Sequence, residues 1–248
     1  MKRVLVPVVA LLFAVPLLAV PTTVTVRVIS RDAKVIGSGV GGAKVTIRDV
    51  ASGKVLAEGM QEGGTGDTQK IMTDPHARNG EPYSGETAAS FVATIDIDTP
   101  TVVEIAASGP LKYPQAVQKA TKTMLLVPGQ HITGEGVLLE IHGFIIDIQE
   151  ASSERVLMKM NMACGCPIQP GGMWNSDTIA IVASLWSGSE KIAESPMKYA
   201  GEVSMFETAF PDVAVGTYQL RILASDPKNE NFGMATGELV VRERGTKE

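Results

Sequence analysis

Residues 43–57 contain Ala43-Lys44-Val45-Thr46-Ile47-Arg48-Asp49, then Ser52-Gly53, then Lys54-Val55-Leu56-Ala57. Val45 and Ile47 alternate with Lys44, Thr46 and Arg48, the period of two that sets apolar side chains on one face of a strand. Ser52-Gly53 turns the chain back, so the segment reads as a β-hairpin. The texture continues in both directions. Upstream, Thr23-Val24-Thr25-Val26-Arg27-Val28-Ile29 is a strand, followed by the glycine-rich turn of residues 37–42. Downstream, strands are expected at 90–97, 101–106, 124–127 and 137–141, with turns at Pro128-Gly129 and Gly134-Glu135-Gly136. Residues 116–122 are polar and fit a short helix or an extended connection.

Composition agrees with an all-β chain. Of 248 residues, 44% are hydrophobic but only 5% aromatic, so Val, Ile, Leu and Ala carry the apolar weight. That bias favours strands, and 25 Gly and 14 Pro supply turns. The stretch Gly41-Gly42-Ala43-Lys44-Val45-Thr46-Ile47 with Ser52-Gly53-Lys54-Val55 resembles the transthyretin-like, carboxypeptidase-regulatory-like β-sandwiches. The resemblance covers about residues 23–60 and implies a module that binds or braces. Residues 58–88, rich in Gly, Thr, Asp, Glu and Pro, form a long loop. Asp67, Asp74 and His76 lie in it at a spacing that matches no metal motif, so a solvated loop is expected.

From Gly143 the pattern restarts. Seven strands are expected, at 144–149, 156–163, 178–186, 191–193, 203–210, 218–224 and 238–241, with Asp226 and residues 229–233 at the tip of the last hairpin. The run Pro211–Ile222, with Gly216-Thr217-Tyr218 entering a late strand, resembles bacterial immunoglobulin-like domains. The expected architecture is two β-sandwich domains, transthyretin-like then immunoglobulin-like, after a signal peptide. The leader is residues 1–20, the first sandwich 23–142 and the second 143–242, with a tail at 243–248.

The leader reading rests on Lys2 and Arg3 followed by the apolar run Val4–Val20, the charged and apolar regions of an export signal. Pro7 and Pro16 interrupt the run, and a spanning helix needs roughly 20 apolar residues. Cleavage is expected after Ala19. No later segment is long and apolar enough to span a membrane. The localisation expected is periplasmic or extracellular. Net charge is −5, and losing the leader makes it more negative, so nucleic acid is not an expected partner.

One segment carries chemistry: Met158-Lys159-Met160-Asn161-Met162-Ala163-Cys164-Gly165-Cys166. Strand alternation would put all five sulfur-bearing side chains on one face. Such a face is either core, where Met and free Cys are common, or a soft-metal site. Thiolate and thioether sulfurs favour Cu(I). Cys164 and Cys166 are then the primary ligands, with Met162 and Met173 as helpers. A disulfide between residues two apart requires the chain to bend, because extended Cα atoms at that spacing lie about 6.6 Å apart; thiol–disulfide work is the third reading. Trp174 and Trp186 are expected as core and rim residues. His76, His131 and His142 are far apart, and no nucleophile elbow, phosphate loop or zinc-protease helix is found. The function expected is therefore non-catalytic: an extracytoplasmic binding or accessory protein acting on a protein partner. No cofactor is required, and Cu(I) is the one the sulfurs suggest.

Overall fold

The computed structural model describes residues 19–242. The tail at 243–248, and all of the leader but its last two residues, lie outside them. The described chain is all-β and forms two sandwiches. In the first, β1 (Val20–Ser30), β4 (Phe91–Ile97) and β7 (Ile132–Ile141) form a sheet of order β4-β1-β7. Facing it are β2 (Ala43–Asp49), β3 (Val55–Gln61), β5 (Thr101–Gly109) and β6 (Gln118–Leu126), in the order β3-β2-β5-β6. The quoted hairpin is β2–β3, antiparallel, with Val45 opposite Gly59. Val24, Val26 and Val28 of β1 meet Val45, Ile47, Val103 and Ile105 in the core, all fully buried.

In the second, β8 (Phe144–Ala151), β9 (Val156–Met162), β12 (Lys198–Tyr199) and β13 (Met205–Thr208) form the sheet β12-β13-β9-β8. It packs on β11-β10-β14-β15, made of β10 (Ala180–Ser187), β11 (Glu190–Pro196), β14 (Gly216–Asp226) and β15 (Asn231–Val241). Among the described residues no sheet takes strands from both sides of His142-Gly143.

Several expectations shift. β3 runs on to Gln61, so the long connection starts at Glu62. That connection is more than a solvated loop. A π-helical turn, Gln69–Thr73, places Ile71 against Ile29, Val35, Ala88 and Ala89 in a small second core. This covers the outer side of β1, the middle strand of its sheet. Residues 118–123 are strand, because β6 pairs along its whole length with β5. β15 begins at Asn231, so residues 231–233 belong to the strand rather than the hairpin tip. A two-residue strand, β12, adds an eighth to the seven expected.

The junction is hydrogen-bonded. Asn231, fully buried, accepts the N–H of Gly143 at 2.7 Å and donates to the Arg31 carbonyl at 3.2 Å. Arg31 bridges Glu140 and Glu230 at 3.1 and 3.3 Å. Gly143 has φ +108°, and a Cβ there would lie 2.7 Å from the Phe232 carbonyl.

Candidate functional site

β9 stops at Met162 because the chain reverses. The N–H of Gly165 donates to Met162 O at 2.7 Å, and the N–H of Met162 donates to Cys166 O at 3.0 Å. Gly165 takes φ +85°, the left-handed conformation that closes a three-residue hairpin loop, here Ala163-Cys164-Gly165. Asn161 then pairs antiparallel with Pro167.

The expected single face of five sulfurs is therefore corrected. Met158, Met160 and Met162 alternate along β9 and are buried in the core. Cys164 sits in the loop. Cys166 lies opposite Met162 across the hairpin, and opposed residues share a face. The two cysteine sulfurs come within 2.9 Å. They are free thiols at a distance longer than the roughly 2.05 Å of a disulfide, and they share one S–H···S hydrogen bond. Both are buried, 3% and 6% exposed. Met173, on the turn after Gly171, is 53% exposed and lies outside this buried cluster.

The hairpin rests on the connection that follows β1. A Cβ on Gly165 would fall 2.7 Å from Val40 Cγ1. Trp174 Nε1 donates to Asp32 O at 2.8 Å. Between them lies Lys34, whose ammonium is held by Thr68 Oγ1 at 2.9 Å and whose charge favours the thiolate form of both sulfurs. Burial pushes the Cys164 thiol up, but the hydrogen bond with Cys166, the backbone N–H groups of Lys34 and Cys166 and the Lys34 charge outweigh it and bring it down to about 7. Cys166 is held far above the ordinary thiol range by that same hydrogen bond, by burial and by the charge on Cys164. The first proton to leave the pair is thus the one on Cys164, and the one that remains is held on Cys166. Sequence reasoning missed Lys34, since nothing in its neighbourhood marks it as a partner of a distant hairpin.

The acidic and histidine residues of the long connection serve that connection. Asp67 accepts from the N–H of Lys70 at 3.1 Å, Asp74 from Gln69 Nε2 at 2.8 Å, and His76 Nε2 lies 3.0 Å from Lys70 O. Among the described residues no three His, Cys, Asp or Glu side chains converge. Trp174 and Trp186 occupy separate places, Trp186 stacking with Arg221 at 4.3 Å.

A second feature lies on the outer face of the β11-β10-β14-β15 sheet. Pro196, Val182, Leu223 and Met234 stand opposite one another across its four strands, and Phe232 adjoins them. Leu223, Phe232 and Met234 are 49%, 51% and 56% exposed. The row runs into a cleft of about 290 Å³ whose far wall is Gln115, Ala116 and Gln118 of the first sandwich.

No family model and no curated protein matches the sequence. Among solved structures, the chain is similar to the fibronectin(III)-like modules of Clostridium thermocellum CbhA, at 8% identity over 92% of this chain and 97% of that one, with a TM-score of 0.25. It is also similar to the apo structure of Bacteroides uniformis beta-glucuronidase 3, at 9% identity over 89% of this chain and 25% of that one, with a TM-score of 0.19.

Proposed function

We propose that the chain is a non-catalytic, exported binding protein that engages a protein partner through the outer face of its second sandwich. The observation that carries this is the row Leu223, Met234 and Phe232. An antiparallel sheet ordinarily turns polar residues outward, and β14 does so elsewhere, with Gln219 and Arg221 on the same face. Contiguous outward apolar residues beside a cleft mark an interaction surface. The first sandwich, read as a transthyretin-like brace, supplies the far wall of that cleft. Export is supported by the leader-like start, and β1 begins at Val20, so cleavage after Ala19 leaves that strand whole.

The test is photo-crosslinking from position 234 in cells that export the chain, with position 238, at the polar end of the same face, as control. An adduct of one defined mass at 234, absent at 238 and lost on Leu223→Glu, is the expected result. Equal adducts at both positions, or none at 234, would overturn the reading.

A further inference from the structure

From the hairpin geometry we infer that Cys164 and Cys166, backed by Met162, form a binding site for one Cu(I) ion. The site is independent of the apolar row, so either reading can fail alone.

The backbone builds it. A three-residue loop with a left-handed Gly165 sets the two sulfurs 2.9 Å apart, and the antiparallel pairing puts Met162 across from Cys166. The loop offers little reason to keep two cysteines as a staple, since closing so small a ring removes little unfolded-state entropy. The donor set is all sulfur. Two thiolates and a thioether are soft and select Cu(I), whereas Zn(II) takes four nitrogen, sulfur or oxygen ligands in structural sites. No His, Asp or Glu joins the cysteines in a cluster among the described residues.

The surroundings suit the charge. Cu(I) with two thiolates carries one net negative charge. The Lys34 ammonium, held by Thr68 Oγ1, favours the charged form of both sulfurs, which compensates that charge inside a largely buried pocket. Metal–thiolate bonds of about 2.3 Å require the sulfurs to part by about 1 Å, a movement that rotation about the two Cα–Cβ bonds supplies. Cys166 is followed by the exposed Pro167, so the hairpin lies at the protein surface and an ion need not cross the core. Met173 sits outside the cluster and is not a ligand in this arrangement.

The experiment is anaerobic titration of the reduced chain with Cu(I) against a chromophoric Cu(I) chelator. Wild type, Cys164→Ser/Cys166→Ser, Cys164→Ala/Cys166→Ala, Met162→Leu and Met173→Leu are compared, with near-ultraviolet circular dichroism confirming that each is folded. The expected result is one ion per wild-type chain. Affinity should fall at least a hundredfold in whichever double variant folds, fall about tenfold in Met162→Leu, and stay unchanged in Met173→Leu. Equal binding by wild type and a folded double variant overturns the site. So does a wild-type chain that takes up no Cu(I) when reduced yet closes an internal disulfide with oxidised glutathione, which would make the pair a redox couple instead.

Discussion

Gln61 completes the sheet at Val28: the Val28 N–H donates to Gln61 Oε1 at 2.6 Å, and Gln61 Nε2 donates back to Val28 O at 2.9 Å. β4 pairs with β1 only as far as Val26 opposite Phe91. A side-chain carboxamide, fully buried, takes over where the partner strand ends, and its Nε2 also reaches Ile36 O at 2.8 Å. Replacing it with an isosteric apolar residue leaves a buried N–H without a partner. Gln61→Leu is expected to cost about 3 kcal/mol, because an unsatisfied buried group costs about 1–3 kcal/mol in addition to the bonds lost. Urea unfolding checks this; a loss under about 1 kcal/mol would mean that water replaces the amide.

Asn231 does the equivalent work at the junction, joining Gly143 to Arg31. Asn231→Ala should destabilise the chain by about 2 kcal/mol and speed hydrogen exchange at the Gly143 amide. Exchange unchanged at Gly143 would show that the bond does not hold the two sandwiches in register.

These two residues mark where sequence reading runs short. The strands with clean alternation, such as β2 with Val45 and Ile47 inward, were legible because burial on one face imposes a period of two. β6 was not. It is an edge strand carrying Lys119 and Lys122 on mostly exposed positions, and it is held by backbone pairing to β5, which needs little apolar pattern; edge lysines also guard against stray pairing. Gln61 and Asn231 are polar residues that satisfy backbone groups far away in the chain, and no local pattern announces that. At the candidate metal site the residue types were legible and the geometry was not. Strict alternation ends at Met162, because Gly165 reverses the chain; Gly165 and the prolines after it are the sequence signal for a bend that lets the two sulfurs meet, whereas Lys34 and the connection beneath the hairpin carry no such signal.

Gly165 is therefore the most sensitive backbone position of the hairpin. Gly165→Ala must hold φ near +85° and bring a Cβ to 2.7 Å from Val40 Cγ1. The left-handed conformation alone costs about 1–2 kcal/mol for a residue with a Cβ, and the contact adds to it. The expected outcome is a loss of about 2 kcal/mol with faster thiol alkylation, as the hairpin lifts from the connection beneath it. Unchanged alkylation would mean that the loop accommodates the methyl without moving the sulfurs.

By contrast, Leu223→Glu with Met234→Glu should leave stability within about 0.5 kcal/mol, as for surface positions away from packed features. Both side chains already face solvent across the same strand pair. A large loss in thermal unfolding would show that the row is packing surface rather than a free face.

The thiol pair makes stability depend on pH in a way that has a maximum. In the folded metal-free chain one proton leaves near pH 7 and the other stays on Cys166 well past the ordinary value of 9.0, while in the unfolded chain both leave around 9.0. Between about 7 and 9.0 the unfolded chain holds more protons, so stability rises with pH. Above 9.0 the order reverses, because unfolded thiols have lost both protons and the folded pair keeps one, so stability falls. The difference in urea midpoint between wild type and Cys164→Ser/Cys166→Ser, followed under reductant from about pH 6 to about pH 10, should therefore climb, peak near 9 and decline. A difference that only falls with pH would mean that both thiols are simply buried and neutral. One that is flat would mean that the sulfurs neither share a proton nor feel Lys34.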